Sequence, residues 1–95
     1  MTSRELKNKP QNRNGYDIIA KLLRSCAIPV RKTNMMYEAG ISFVLINKYL
    51  KMVEKNALAI KKDDDYLITS KGRKYLLTYD ELTDFLSADF KELLS

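Results

Sequence analysis

The side chains with chemistry to offer are bases and amides, and they cluster ahead of the last third of the chain. Arg31, Lys32 and Thr33 precede a short predicted helix. Ser42, Phe43, Asn47, Lys48 and Lys51 lie at the start or on the outer positions of a longer one. Lys61 and Lys62 follow at the base of a predicted hairpin. Lysine and arginine donate charge-assisted hydrogen bonds to phosphate oxygens, and a helix N-terminus adds unpaired N–H groups. Asparagine and serine can face the edge of a base. This is the chemistry of holding a polyanion, and the groups needed to break bonds are missing. There is no histidine, the commonest general base and metal ligand. The lone Cys26 allows neither an internal disulfide nor a four-thiolate zinc site. It follows an apolar run and reads as a small buried hydrophobe. No glycine-rich loop cradles a phosphate. Asp63, Asp64 and Asp65 could hold a hard cation only loosely and read as a solvated turn. The expectation is a non-enzyme with no cofactor and no metal.

Charge follows the same division. The chain has 95 residues, 45% of them hydrophobic, enough for one domain with a modest core. Its formal net charge is +5, but residues 1–32 carry +6, residues 33–62 carry +3 and residues 63–95 carry −4. One part of the fold is therefore suited to an anionic partner and another is not. No apolar run approaches the ~20 residues of a membrane helix. The first eleven residues lack an apolar signal core. A cytoplasmic chain is expected, with no membrane partner and no evident small-molecule ligand.

Spacing then assigns the elements that must position these groups. Residues 1–13 are polar and basic, with Arg4, Lys7, Lys9 and Arg13, and read as a flexible arm. Asn14 can cap a helix whose apolar positions Ile18, Ile19, Leu22 and Leu23 recur at helical spacing to about Cys26. Tyr16 belongs to that stretch and, with Tyr37, is expected in the core. Pro29 breaks the pattern. Thr33 is a plausible cap for a helix from Asn34 to Ala39, and Gly40 ends it. Ser42 caps a third helix that runs to about Lys55 or Asn56, with Ile46, Tyr49, Leu50 and Val53 inward. Residues 58–62 read as a strand, 63–65 as a turn and 66–68 as the return strand. Thr69 or Ser70 caps a last helix starting near Lys71. The fold class is mostly α with a small β-hairpin. The layout is a basic arm (1–13), a winged helix-turn-helix domain (14–74) and a C-terminal helix (75–95).

A short helix, a glycine turn and a longer helix make a helix-turn-helix, and the hairpin after it supplies a wing. The second helix of such a unit can lie in the DNA major groove with its N-terminal residues at base edges. Three stretches carry a closer resemblance: Met36-Tyr37-Glu38-Ala39-Gly40-Ile41-Ser42, Lys48-Tyr49-Leu50-Lys51-Met52 and Tyr66-Leu67-Ile68-Thr69-Ser70-Lys71-Gly72. Residues 16–86 resemble a small archaeal winged-helix family of chromatin-associated DNA-binding proteins. The resemblance implies duplex DNA as partner, a nucleoid location and a homodimer built on an antiparallel coiled coil of the last helix.

The last helix supports a dimer on its own residues. Tyr75, Tyr79, Leu82, Leu86 and Leu93 step by four, three, four and seven, close to a heptad seam with one slip. Tyr79, Leu82, Phe85, Leu86, Phe90 and Leu93 are the expected dimerisation residues. The alternative is a helix folded back along its own domain. For the third helix, Phe43, Val44 and Leu45 either touch thymine methyls or the groove wall, or serve as core or partner surface. The helix has no Arg or Gln, so weak sequence specificity is expected, with affinity drawn mainly from phosphates. The acidic wing tip would repel phosphate, so either it projects away from DNA or the wing stays out of the minor groove. A winged module that binds protein rather than DNA is the competing function.

Overall fold

The computed structural model describes residues 15–85. The arm, the proposed Asn14 cap and the proposed dimerisation residues Leu86, Phe90 and Leu93 lie outside them. Helix α1 spans Gly15–Ser25 and buries Ile18, Ile19, Leu22 and Leu23, the face its spacing predicts. Cys26 is fully buried just after it, and burial pushes its thiol up to about 11. The thiol is thus protonated at neutral pH and serves as packing.

Strand β1, Val30–Arg31, is an element the sequence reading lacks. It pairs antiparallel with β3 (Asp65–Ile68), setting Val30 opposite Tyr66 and Arg31 opposite Asp65. With β2 (Ala59–Lys62) on the other side, the sheet is three-stranded in the order β1-β3-β2. The expected hairpin is therefore a three-stranded sheet. The β2–β3 loop is Asp63-Asp64, and Asp65 opens β3 opposite Lys62 instead of sitting in the turn. So short a loop forces a left-handed residue, and Asp63 takes φ 58, which a short aspartate side chain tolerates.

Helix α2 spans Lys32–Ala39 and so begins at Lys32, not at Asn34. Arg31 sits at its boundary in the extended conformation left by the strand, and no side chain caps it. Thr33, read as the cap, lies inside the first turn. Gly40 closes the helix at φ 68, its N–H donating to the carbonyls of Met36 at 2.9 Å and Tyr37 at 3.2 Å. That left-handed stop suits glycine, which has no Cβ to clash. Helix α3, Phe43–Lys55, is capped by Ser42, whose Oγ accepts from the Leu45 N–H at 3.2 Å. Ile46, Leu50 and Val53 are buried and Tyr49 packs half-buried against them.

Helix α4 spans Ser70–Asp84. Thr69 Oγ1 accepts from the Gly72 N–H at 3.0 Å and donates to the Ala57 carbonyl at 2.6 Å, while the Thr69 N–H donates to the Leu58 carbonyl at 3.0 Å. A Cβ on Gly72 would stand 2.1 Å from that Leu58 oxygen. The Thr-x-x-Gly exit from the wing is thus a joint: threonine ties two segments and glycine lets them touch.

Three further bonds fix α4 to α1. Tyr75 Oη donates to the Tyr16 carbonyl at 2.8 Å, Tyr79 Oη donates to the Asp17 carboxylate, and Arg24 pairs with Asp80. The rings of Tyr75 and Tyr79 stack at 6.4 Å. Burial, reinforced by Asp17, pushes both phenols up to about 12. Two core expectations fail. Tyr16 and Tyr37 are both exposed. Tyr16 stands at the open N-terminal end of α1, and Tyr37 lies on the far side of α2 from Met35 and Ala39, which are buried.

Candidate nucleic-acid interface

Burial of Ile46, Leu50 and Val53 decides which side of α3 faces out. At 100° per residue the opposite direction falls on Val44, Lys48, Lys51 and Lys55. All four are exposed. Lys48 and Lys51 are where the sequence reading placed them. Lys55 is an addition, legible in the spacing of four, three and four from Val44. Ser42 is committed to its cap bond and lies exposed at the N-terminal end of the stripe.

Asn47 and Phe43 occupy a flank of α3, not its crest, and both are engaged by Lys32. The Lys32 ammonium donates to Asn47 Oδ1 at 2.8 Å and lies 4.8 Å from the centre of the Phe43 ring. One lysine at the start of α2 thus braces the start of α3. Leu45 is half-buried, while Phe43 is 60% and Val44 74% exposed. The three apolar residues that open α3 therefore divide: Leu45 is half-buried, Phe43 is braced by Lys32, and Val44 is the most exposed.

Beside this crest lies a shallow groove of about 310 Å³ lined by Arg31, Lys32, Thr33, Lys61, Asp64 and Tyr66. The structure brings together there the first turn of α2 and the wing base, two predicted sites that are far apart in sequence. Lys61 lies along Tyr66, its ammonium 5.9 Å from the ring centre. Burial raises the Tyr66 phenol, and the Glu54 carboxylate raises it further. Arg31 Nε stands 3.7 Å from Asp65 Oδ1 with both side chains well exposed, a loose pair worth little in stability. It does answer one of the three wing carboxylates from within the fold. Lys62 is exposed opposite Asp65 in the β2–β3 ladder.

A winged helix-turn-helix family profile matches residues 12–87. The chain is a member of the winged helix-turn-helix family. Its wing is the β2–β3 hairpin and its helix-turn-helix is α2, the Gly40 turn and α3. It is similar to Sso10a-2, a DNA-binding protein from Sulfolobus solfataricus, at 30% identity and a TM-score of 0.68, over 87% of this chain and 98% of that one. A candidate transcriptional regulator from Pseudomonas aeruginosa PA01 shares the fold at 15% identity and a TM-score of 0.59, over 96% of this chain and 73% of that one. No curated protein matches the chain. Among the described residues no helix is long and apolar enough to cross a membrane, and no group of three or more Cys, Asp or Glu is placed to hold a metal ion.

Away from the α2–α3 unit in sequence, α4 leaves Leu82 62% and Phe85 83% exposed. Leu82 lines an apolar groove of about 430 Å³ whose walls include Tyr16, Leu58, Tyr75 and Tyr79, and Phe85 follows three residues later as the C-cap of the helix. Tyr79, placed on the predicted seam, spends its hydroxyl on Asp17 within the chain and offers the groove its ring.

Proposed function

We propose that this winged-helix protein binds duplex DNA by laying α3 in the major groove. Lys48, Lys51 and Lys55 then reach phosphates on either side, and Arg31, Lys32, Thr33, Lys61 and Lys62 hold the backbone beside it. The observation that carries this reading is the crest of α3: Val44, Lys48, Lys51 and Lys55 share one exposed face with no carboxylate among them. The N-terminus of α2 opens beside them without a side-chain cap and without an acidic residue in its first turn, which suits a phosphate. The resemblance to Sso10a-2 supports the same partner. Asn47, held by Lys32, keeps its amide hydrogens for a base edge or a phosphate.

The protein acts as a homodimer through its C-terminal helix, with Tyr79, Leu82, Phe85, Leu86, Phe90 and Leu93 in the contact. Exposed Leu82 and Phe85 support this, because single large apolar side chains are ordinary on a surface but a continuous apolar groove beside them marks an interface. Two winged domains on one rod suit a chromatin-type architectural protein or a transcription regulator acting at the nucleoid, with no catalytic role. The acidic wing is compatible with this role because Arg31, Lys32 and Lys61 outnumber Asp64 in the groove and Arg31 answers Asp65.

The test is the double charge reversal Lys48→Glu and Lys51→Glu. Both side chains are exposed, so the fold should melt as before while duplex binding falls at least a hundredfold. Unchanged binding would remove α3 from the interface. A protein-interaction module without DNA binding is the second reading, favoured by exposed Phe43 and the wing carboxylates, and it predicts no duplex binding by the wild type.

A further inference from the structure

We infer that Val44 is a specificity-determining residue that reads the C5 methyl groups of thymine. The inference rests on the reading that α3 enters the major groove, and it says what α3 recognises there. Val44 is the second residue of α3, at the end of the helix that meets base edges in this fold. It is 74% exposed and stands at the head of the lysine crest. A β-branched apolar residue gains nothing in the exposed first turn of a helix, where an acidic side chain would favour the dipole, and α3 has none there.

The other means of direct readout on α3 are few. α3 carries no Arg or Gln for a bidentate contact with a purine. Asn47, the one residue that could pair bidentately with adenine, has its Oδ1 occupied by Lys32 at 2.8 Å. Phe43 is held under the same ammonium and Leu45 is half-buried. Val44 alone among the three is exposed and unbraced, and thymine's methyl is the apolar feature that the major groove offers. Lys48, one turn further along the crest, would hold the phosphates that press Val44 against the base edges.

The experiment compares one short A/T-rich duplex with the same duplex carrying deoxyuridine at every thymine position, which removes methyls and leaves the pairing intact. The full chain is titrated by fluorescence anisotropy at several salt concentrations. The wild-type protein should bind the deoxyuridine duplex about fourfold more weakly for each methyl in contact, the equivalent of ~0.8 kcal/mol per buried carbon. The salt slopes should match, because the phosphates are unchanged. Val44→Ser, exposed and so expected to fold, should bind both duplexes alike. Equal wild-type affinities with a normal salt slope would overturn the Val44 inference while leaving DNA binding intact. A preference that survives Val44→Ser would assign it to DNA shape and also overturn the inference. Failure to bind either duplex would overturn the DNA reading itself.

Discussion

Replacing Gly72 by alanine sets two effects against each other, and the structure says which wins. Glycine inside a helix normally costs about 0.5–1 kcal/mol relative to alanine, so propensity alone favours the change. The new Cβ, however, would stand 2.1 Å from the Leu58 carbonyl oxygen and 2.7 Å from Ile68 Cγ1. Optimal heavy-atom contact is about 3.5 Å, so one segment must move by roughly 1.4 Å. Leu58 is poorly placed to yield. Its N–H donates to the Val53 carbonyl at 2.9 Å and its carbonyl accepts from Thr69 at 3.0 Å. Overpacking of this kind costs about 1–3 kcal/mol, and losing one of those bonds adds about 0.5–1.5 kcal/mol. Net of the propensity gain, Gly72→Ala should destabilise by about 0.5–4 kcal/mol, centred on ~2 kcal/mol. At ~4–8 °C per kcal/mol for a domain of this size, that central value lowers Tm by roughly 8–16 °C. Thermal melts followed by circular dichroism at one fixed protein concentration measure it. Gly15→Ala is the control. Its Cβ would meet only the Tyr49 ring at 3.4 Å or more, and the change should stay within about 0.5 kcal/mol. A Gly72→Ala protein as stable as wild type would refute the joint described for the wing exit.

Other outcomes follow from the α1–α4 contact and from the exposed end of α4. Tyr75 and Tyr79 have phenols raised from about 10 in an unfolded chain to about 12 in the fold, so their contribution is complete below pH 10 and is lost as pH rises toward 12. Urea midpoints should therefore fall across that window, and less steeply in the Tyr75→Phe, Tyr79→Phe double variant; equal slopes would discount the two hydroxyls. Sedimentation at micromolar concentration should report about twice 11.0 kDa for the wild type, whereas Leu82→Asp with Phe85→Asp should run as a monomer. A wild-type monomer would end the dimer proposal. Arg24→Ala should cost no more than about 1 kcal/mol in chemical denaturation, since both partners in the Asp80 pair are half exposed.

What the sequence disclosed was local, and what it hid was non-local. Gly40, Ser42 and Thr69 each act within a few residues of themselves, and all three terminate or cap the helices their types suggest. The inner face of α3 was legible because three buried residues repeat at helical spacing. Strand β1 was not, because two residues after a proline carry no pattern and their pairing with Tyr66 and Asp65 is made by the tertiary fold. The same strand moves the start of α2 to Lys32 and displaces Thr33 from the cap. Tyr16 and Tyr37 misled because large aromatic residues usually bury, whereas here one lies at a helix end and the other opposite the core. The bond from Lys32 to Asn47, which changes what Asn47 can read, joins residues that no local rule connects.

The central claim is that a basic face built on α3 meets the phosphates of duplex DNA, and its most direct measurement is the salt dependence of binding. If roughly four of the lysines and arginines on that face reach phosphates, log Kd should rise with log salt at a slope of about 3.6, and Lys48→Glu with Lys51→Glu should flatten it by close to 2. A slope near zero, or one unaltered by removing those two lysines, would contradict the account.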